Sequence, residues 1–186
     1  GDPANFPWTV GNILNYATET EIWCQHIVAE FGRGASVAAL LMNNDFGKTY
    51  QQTLQGCADR GDIDLIAEEL HDPAAPDVTN EMTTLIASGA QVLVAGTTAA
   101  FCPQVVGTLA NVPSWRPMFF MSYTCNNLAS FFAPVQEFAD TLQKEASNKF
   151  TNFLYIKICI YITINSYWLV LPFYLWHCLK MMVLSL

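Results

Sequence analysis

The sequence predicts an α/β fold in which a parallel sheet carries helices on both faces. Short apolar segments alternate four times with segments whose apolar residues recur at helical spacing. The first strand candidate, "ASVAALLM" at 35–42, is apolar on both of its alternating faces, as expected of a parallel strand covered on two sides. Strands that alternate with helices are joined by right-handed crossovers and lie parallel. A chain of 186 residues is long enough for one such domain with a substantial core.

The first helix is predicted to begin at Thr18, because Thr18 and Glu21 match the T-x-x-E capping box. Apolar residues continue at helical spacing to Phe31, and the glycines of "GRG" at 32–34 predict its C-terminal cap. These glycines do not match a dinucleotide fingerprint, since that motif follows a strand and opens a helix. A strand at 36–42 comes next.

The remaining elements are bounded by glycine, proline and capping residues. They are, in order, a helix from Gly47 to Arg60 closed by Gly61, a strand from Asp64 to Leu70, a helix capped by Asp77 and running to Ser88, a strand from Gln91 to Gly96, a helix from Ala99 to Asn111, and a strand from Arg116 to Ser122.

Charge divides the chain into residues 1–149, predicted to form a domain, and a hydrophobic tail, residues 150–186. The net charge is −8, yet all sixteen acidic residues lie at or before Glu145. The acidic balance of residues 1–149 argues against a nucleic-acid partner. In the tail, the stretch from Ile158 to Leu179 is long enough to cross a membrane, although polar residues and Pro172 interrupt it. The competing interpretation, which we favour, is that the tail is non-native or frame-shifted sequence.

Six cysteines show neither a CxxC pair nor the spacing of a zinc site, so no metal site is predicted. Cys102 and Cys125 follow successive predicted strands and could form a disulfide in an exported protein, which sequence alone does not decide. A joint metal role for Cys24 and His26 is disfavoured by their spacing. The three tryptophans before residue 150 are expected to pack in the core; they are Trp8, Trp23 and Trp115.

No catalytic constellation is evident, and the chain is predicted not to be an enzyme. The triplet within "NNDFGK", Asp45 to Gly47, matches the one with which protein kinases hold magnesium, but the Gly-rich loop, strand lysine and catalytic loop of a kinase are missing. The chain also lacks a GxSxG elbow. His71, in the acidic, proline-rich "HDPAAPD" loop, is expected to be solvated. We predict no cofactor.

Two loops resemble ligand-binding loops, because ligands of open α/β sheets lie beyond the carboxyl ends of the strands. The first loop contains a glycine, which permits close approach of the backbone to a ligand, and two hydroxyl groups, and it leads into a helix. The second loop contains another polar cluster and follows the next strand. Each hydroxyl could alternatively be a simple helix cap. The predicted ligand-binding residues of these loops are Gly96, Thr97 and Thr98, and Ser122, Tyr123 and Thr124.

The order of elements and the wording of the loops resemble the type I periplasmic solute-binding proteins, in the branched-chain amino acid (Leu/Ile/Val) binding branch of ABC transporters. The resemblance covers about residues 8–145. It is carried by "NYATETEIWCQHIVAEFGRGASVAALLMNNDFGKTYQQTLQGC", by "HDPAAPDVTNEMTTLIASGAQVLVAGTTAAF" and by "RPMFFMSYT".

This resemblance implies an incomplete, Rossmann-like second lobe, with the first lobe absent. It implies capture of a small solute by cleft closure, ABC transporter membrane subunits as partners, a monomeric full-length parent and a periplasmic or extracellular location. The family's ligand-contacting aromatic residue in the "NDFG" turn corresponds to Phe46. Asp45 and Gly47 would shape that turn, the glycine by tolerating unusual backbone angles.

Two departures from the family concern the solute. Amino acid binders of the family carry an aromatic residue after the third strand and a carboxylate after the fourth, where this chain has Thr97–Thr98 and Ser122–Thr124. A buried ammonium without a carboxylate is costly, so an amide, a short carboxylic acid or an aromatic acid is expected instead of an aliphatic amino acid. An alternative is a ligand-sensing receptor ectodomain of the same fold, anchored in the membrane by the tail.

Overall fold

The computed structural model describes residues 4–8 and 14–125, which lie within one compact unit of the chain. Every predicted helix and strand is present, with ends that differ from the prediction by at most three residues. In chain order they are α1 (Tyr16–Phe31), β1 (Ala35–Met42), α2 (Asp45–Asp59), β2 (Ile63–His71), α3 (Thr79–Ser88), β3 (Val92–Gly96), α4 (Phe101–Ala110) and β4 (Met118–Met121), followed by a single 3₁₀ turn, Tyr123–Cys125.

The four strands form one parallel sheet in the order β2-β1-β3-β4. Helix α1 packs on α2, and α3 packs on α4, so the helices form two layers about the sheet. Strand β1 is buried along nearly its whole length, which confirms the prediction made from its apolar faces. The α/β architecture predicted from the sequence is therefore confirmed.

Helix α1 begins earlier than its apparent capping box. The side chain of Asn15 is the N-cap and accepts a hydrogen bond from the Thr18 backbone N–H at 2.8 Å. The expectation that Thr18 is the cap was wrong, because Glu21 does not reach back to a cap but pairs with Arg60 at 2.8 Å. The two T-x-x-E residues are thus ordinary members of the helix.

The other helices begin and end largely as their sequences indicate. Asn44 caps α2 by accepting from the Gly47 N–H at 3.1 Å. Asp77 accepts from the Thr79 N–H at 2.9 Å at the start of α3, and this bond lowers the pKa of its carboxyl group. Gly89 ends α3 with φ of +64°, a left-handed conformation that favours glycine.

Two of the three tryptophans pack as expected. Trp23 and Trp115 are each 7% exposed, and the Trp115 indole donates to the carbonyl oxygen of Ala90 at 2.9 Å. Trp8 is 95% exposed, so the expectation that it packs in the core was wrong. It lies in a short turn ahead of α1.

Two disulfides join the described elements. Cys102 of α4 is bonded to Cys125 of the turn after β4, the pairing that the sequence left open. Cys24 of α1 is bonded to Cys57 of α2, a pair that the sequence did not single out. The first cystine thus connects a helix to a loop, and the second connects two helices.

The tail falls outside the described residues, and so does the predicted boundary after residue 149. Its status as native sequence or membrane anchor stays a prediction. Within residues 4–8 and 14–125, no helix is long and apolar enough to cross a membrane.

Candidate functional site

Four loops meet at the carboxyl edge of the sheet. Residues at the strand ends are paired across the sheet, Met42 with His71 and Leu41 with Gly96, and β4 ends beside β3 at Met121. The loops that leave these positions begin at Asn43, Asp72, Thr97 and Ser122. The topology therefore brings every predicted ligand-binding residue to one edge.

Aromatic side chains form a cluster at this edge. The ring of Tyr16 at the start of α1 stacks on Tyr123 at a centroid distance of 5.4 Å and meets Phe46 edge-on at 4.7 Å. Tyr50 of α2 lies beneath, 5.2 Å from Phe46. Tyr16, Phe46 and Tyr123 are partly exposed, whereas Tyr50 is fully buried. We call these three partly exposed rings the aromatic wall.

A buried hydrogen-bond network supports the wall. The Tyr50 hydroxyl lies 2.5 Å from Glu19 Oε2 and 2.8 Å from Ser122 Oγ. The other carboxylate oxygen of Glu19 accepts from the Tyr123 backbone N–H at 3.1 Å, and Ser122 Oγ lies 2.9 Å from the Thr124 hydroxyl. Glu19 and Ser122 are each 2% exposed. Helix α1 is thereby tied to the loop after β4.

The Tyr123 phenol stays protonated across the physiological range. Burial is the main cause that raises its pKa, and the neighbouring Tyr16 hydroxyl and the Glu19 carboxylate act in the same direction. The Tyr123 ring of the wall is therefore neutral.

His71 is buried at the floor of the site, so the expectation that it is solvated was wrong. It is the last residue of β2, fully buried, with its ring 4.3 Å from that of Phe101. Its Nδ1 lies 3.2 Å from the carbonyl oxygen of Asp72, which can only accept, and its Nε2 lies 2.8 Å from the Thr97 hydroxyl. Nδ1 therefore carries the proton, and Nε2 accepts from Thr97. Burial lowers the pKa of His71, which keeps the ring neutral.

Stability is expected to fall as the pH is lowered below about 6.5, the pKa of an unperturbed histidine. Between the lowered pKa of folded His71 and that value, the unfolded chain binds a proton that the folded chain does not, so acid favours unfolding. The loss from this residue is at most about 1.4 kcal/mol per pH unit. Urea denaturation at pH 7.5 and 5.5 should show a larger loss for the native chain than for His71→Gln. Equal losses would contradict this assignment.

Two glycines of the site are required by close packing. A Cβ on Gly96 would lie 2.9 Å from Leu41 Cδ2 and 2.9 Å from the Tyr50 ring. Gly47 lies in the first turn of α2, where a Cβ would lie 1.8 Å from the carbonyl oxygen of Met42. The expectation that Gly47 serves by unusual backbone angles was wrong, since its φ is not positive. Its lack of a side chain lets α2 start directly against the end of β1.

The predicted ligand-binding residues divide into two groups. Gly96, Thr97 and Ser122 are buried, and the hydroxyls of Thr97 and Ser122 hydrogen-bond within the protein. Partly exposed residues form the second group, which consists of Phe46, Thr98, Tyr123 and Thr124. Sequence reasoning missed Tyr16, Glu19 and Tyr50, which α1 and α2 contribute. Whether any of these residues binds a ligand stays a prediction.

Two further features concern metal binding and a second groove. Within the described ranges, no three His, Cys, Asp or Glu side chains are grouped as a metal ion requires. A shallow groove of about 370 Å³ lies between α3 and α4, and its lining includes Asp77, Gln104 and Gly107.

Comparison with known proteins finds solved structures that share the fold of this chain. No family model matches the chain, and no curated protein matches it. A solved extracellular ligand-binding receptor from Rhodopseudomonas palustris HaA2 gives a TM-score of 0.55 at 10% identity, over 79% of this chain and 43% of its own. A branched chain amino acid ABC transporter periplasmic ligand-binding protein from Burkholderia xenovorans LB400 gives 0.53 at 12% identity, over 69% of this chain and 33% of its own.

A further extracellular ligand-binding receptor from Rhodopseudomonas palustris gives a TM-score of 0.55 at 12% identity, over 63% of this chain and 32% of its own. The chain thus spans between about a third and less than half of the length of these proteins. At these identities the likeness establishes the fold. The described residues have the α/β fold of part of one lobe of a type I periplasmic binding protein.

Proposed function

We propose that the chain is part of the second lobe of a solute-binding protein, and that its solute lies against the aromatic wall and the partly exposed residues Thr98 and Thr124. The main support for this proposal is the arrangement of side chains at the carboxyl edge of the sheet. Partly exposed aromatic and hydroxyl groups lie over a buried network that ties α1 to the loop after β4. Side chains fixed in this way need little ordering when a ligand arrives, which favours affinity.

The chemistry of this edge supports binding and not turnover. The buried histidine is neutral, and its two ring nitrogens are hydrogen-bonded within the protein. The Tyr123 phenol is held protonated, so it is a poor base. The solved proteins with the same fold are named as receptors or ligand-binding proteins.

An amide, a short carboxylic acid or an aromatic acid fits the site better than an aliphatic amino acid. The structure brings the Glu19 carboxylate to the loop after β4, but Tyr50 and Tyr123 use its two oxygens from within the protein. It is also buried, so a ligand ammonium would not meet an exposed carboxylate from Glu19. Hydroxyls and the first turn of α4 favour a carboxylate or amide oxygen instead.

The full-length parent is proposed to be a monomer that closes two lobes on its solute and then docks on the membrane subunits of an ABC transporter, in the periplasm or outside the cell. The alternative, a membrane-anchored receptor ectodomain, depends on the tail at 150–186. No described residue favours it.

The expected result of a solute panel is binding of at least one amide or carboxylic acid that Phe46→Ala weakens by about tenfold or more, because the ring is a central part of the wall. Isothermal titration of acetamide, propionate, benzoate and leucine into the purified chain gives the affinities. Phe31→Ala is the matched control, since Phe31 is also partly exposed but ends α1, ahead of the amino end of β1.

Submicromolar binding of leucine would overturn the proposed solute class. Equal losses of affinity in Phe46→Ala and Phe31→Ala would overturn the proposed location of the site.

A further inference from the structure

The Cys102–Cys125 disulfide joins the two loops of the proposed site. Cys102 lies in the first turn of α4, directly after the Thr97–Ala100 loop, and Cys125 ends the turn after β4. The two Cα atoms are 5.7 Å apart. A hydrogen bond from the Thr124 hydroxyl to the carbonyl oxygen of Thr97, 3.0 Å long, runs beside the covalent link. The loops are thereby held together at two points.

The loop before α4 is held in an uncommon conformation. Ala99 has φ of +52°, in the left-handed region that a residue with a side chain rarely adopts. Such a conformation persists only where the surroundings determine it. The disulfide begins three residues further on, and the helix-starting hydrogen bonds from Phe101 to Thr98 and from Cys102 to Ala99 depend on the same backbone path.

We propose that Cys102 and Cys125 are positioning residues for the solute site: their disulfide keeps Thr98 and Thr124 in binding geometry before the solute arrives. This inference rests on the proposed function. Without the bond, the loops would be ordered only on binding, and the cost of that ordering would be subtracted from the affinity. The buried state of both cysteines, 0% and 3% exposed, fits a permanent positioning role.

The second disulfide supplies a matched control. Cys24 and Cys57 are equally buried, at 1% and 0% exposure, and they join α1 to α2. The bond closes 33 residues, compared with 23 for Cys102–Cys125. Because loop-closure entropy grows slowly with loop length, removal of either bond should cost similar global stability. Only one of them joins the proposed ligand loops.

The test compares Cys102→Ala/Cys125→Ala with Cys24→Ala/Cys57→Ala in the full 186-residue chain. Amide hydrogen exchange without solute is expected to rise about tenfold or more at the hydrogen-bonded amides of residues 101 and 102 and of Tyr123 and Thr124, in the first variant only. Benzoate affinity, measured by titration, is expected to fall by about tenfold in that variant and to change little in the control.

Each outcome decides the proposal. Unchanged exchange at these loops in the first variant, or an equal rise in both variants, overturns the positioning role. If the native chain binds none of the four panel solutes, the proposed function fails, while loop exchange still decides the positioning role. If the first variant does not fold, Cys102→Val/Cys125→Val, which fills the space of the buried sulfur atoms, is compared in its place, and unchanged exchange at the same amides overturns the proposal.

Discussion

Replacing Gly47 with alanine is expected to destabilise the chain by about 3 kcal/mol or more. The new Cβ would lie 1.8 Å from the Met42 carbonyl oxygen and 2.7 Å from its carbonyl carbon, and backbone atoms cannot rotate away as a side chain can. Helix α2 would have to move away from the end of β1. That movement would displace Phe46, the residue before Gly47, from the aromatic wall.

Gly56→Ala is the control for this substitution. Gly56 lies in the same helix, and a Cβ there would meet no atom closer than the end of the Arg60 side chain at 3.7 Å. Alanine is the better helix former, so Gly56→Ala should raise stability by roughly 0.5–1 kcal/mol. Urea denaturation followed by circular dichroism gives both values. A neutral Gly47→Ala would contradict the close approach of α2 and β1.

Replacing Glu19 with alanine is expected to cost about 3 kcal/mol of stability. The substitution removes the charged partner of the buried Tyr50 hydroxyl, which keeps only Ser122 Oγ, and it removes the acceptor of the Tyr123 N–H. Hydrogen bonds to a charged group are stronger than neutral ones, and a donor that loses its acceptor keeps the cost of its dehydration. The loop after β4 should also become more mobile, because Glu19 connects it to α1.

Glu21→Ala provides the comparison two residues along the same helix. The Glu21 carboxylate is 38% exposed and pairs with Arg60 at the surface, so water and salt screen the interaction and the expected change is small. Chemical denaturation of both variants, with amide exchange at Tyr123, tests the difference. If Glu19→Ala loses no more stability than Glu21→Ala, the buried network does not support the wall.

Much of the fold was predictable because the signals are local. The apolar faces of β1, the glycine that ends α3 and the spacing of apolar residues each depend on a few adjacent residues. The meeting of the predicted loops at the carboxyl edge also followed, since it depends only on strand order. Errors arose where the burial of a side chain depends on residues distant in the sequence. His71 is the example: its proline-rich loop suggested exposure, but its ring packs against that of Phe101.

The residues at the candidate site that were not predicted show the same limit of local sequence patterns. Tyr123 contacts Tyr16 and Glu19, which lie more than 100 residues earlier in the chain, so no local pattern links them. One signal was nevertheless present. Glu19, Trp23 and Ile27 recur at intervals of four and therefore share one helix face, and all three are buried. A carboxylate on an apolar helix face predicts a buried hydrogen-bonded role.

Why a given position requires glycine is equally hard to predict from the sequence. Gly47 was predicted to shape a turn, whereas its neighbour in space is the Met42 backbone. That distance follows from the packing of α2 on the sheet, which a sequence pattern does not contain.

Chemical-shift mapping by NMR with benzoate and propionate tests the central claim most directly, because it detects weak binding and locates it. The account predicts that shifts are confined to the carboxyl edge of the sheet, with the largest changes at Phe46, Thr98, Tyr123 and Thr124 and at the ring of Tyr16. Shifts centred on the groove between α3 and α4, at Asp77 and Gln104, would contradict it, as would the absence of any shift at millimolar solute.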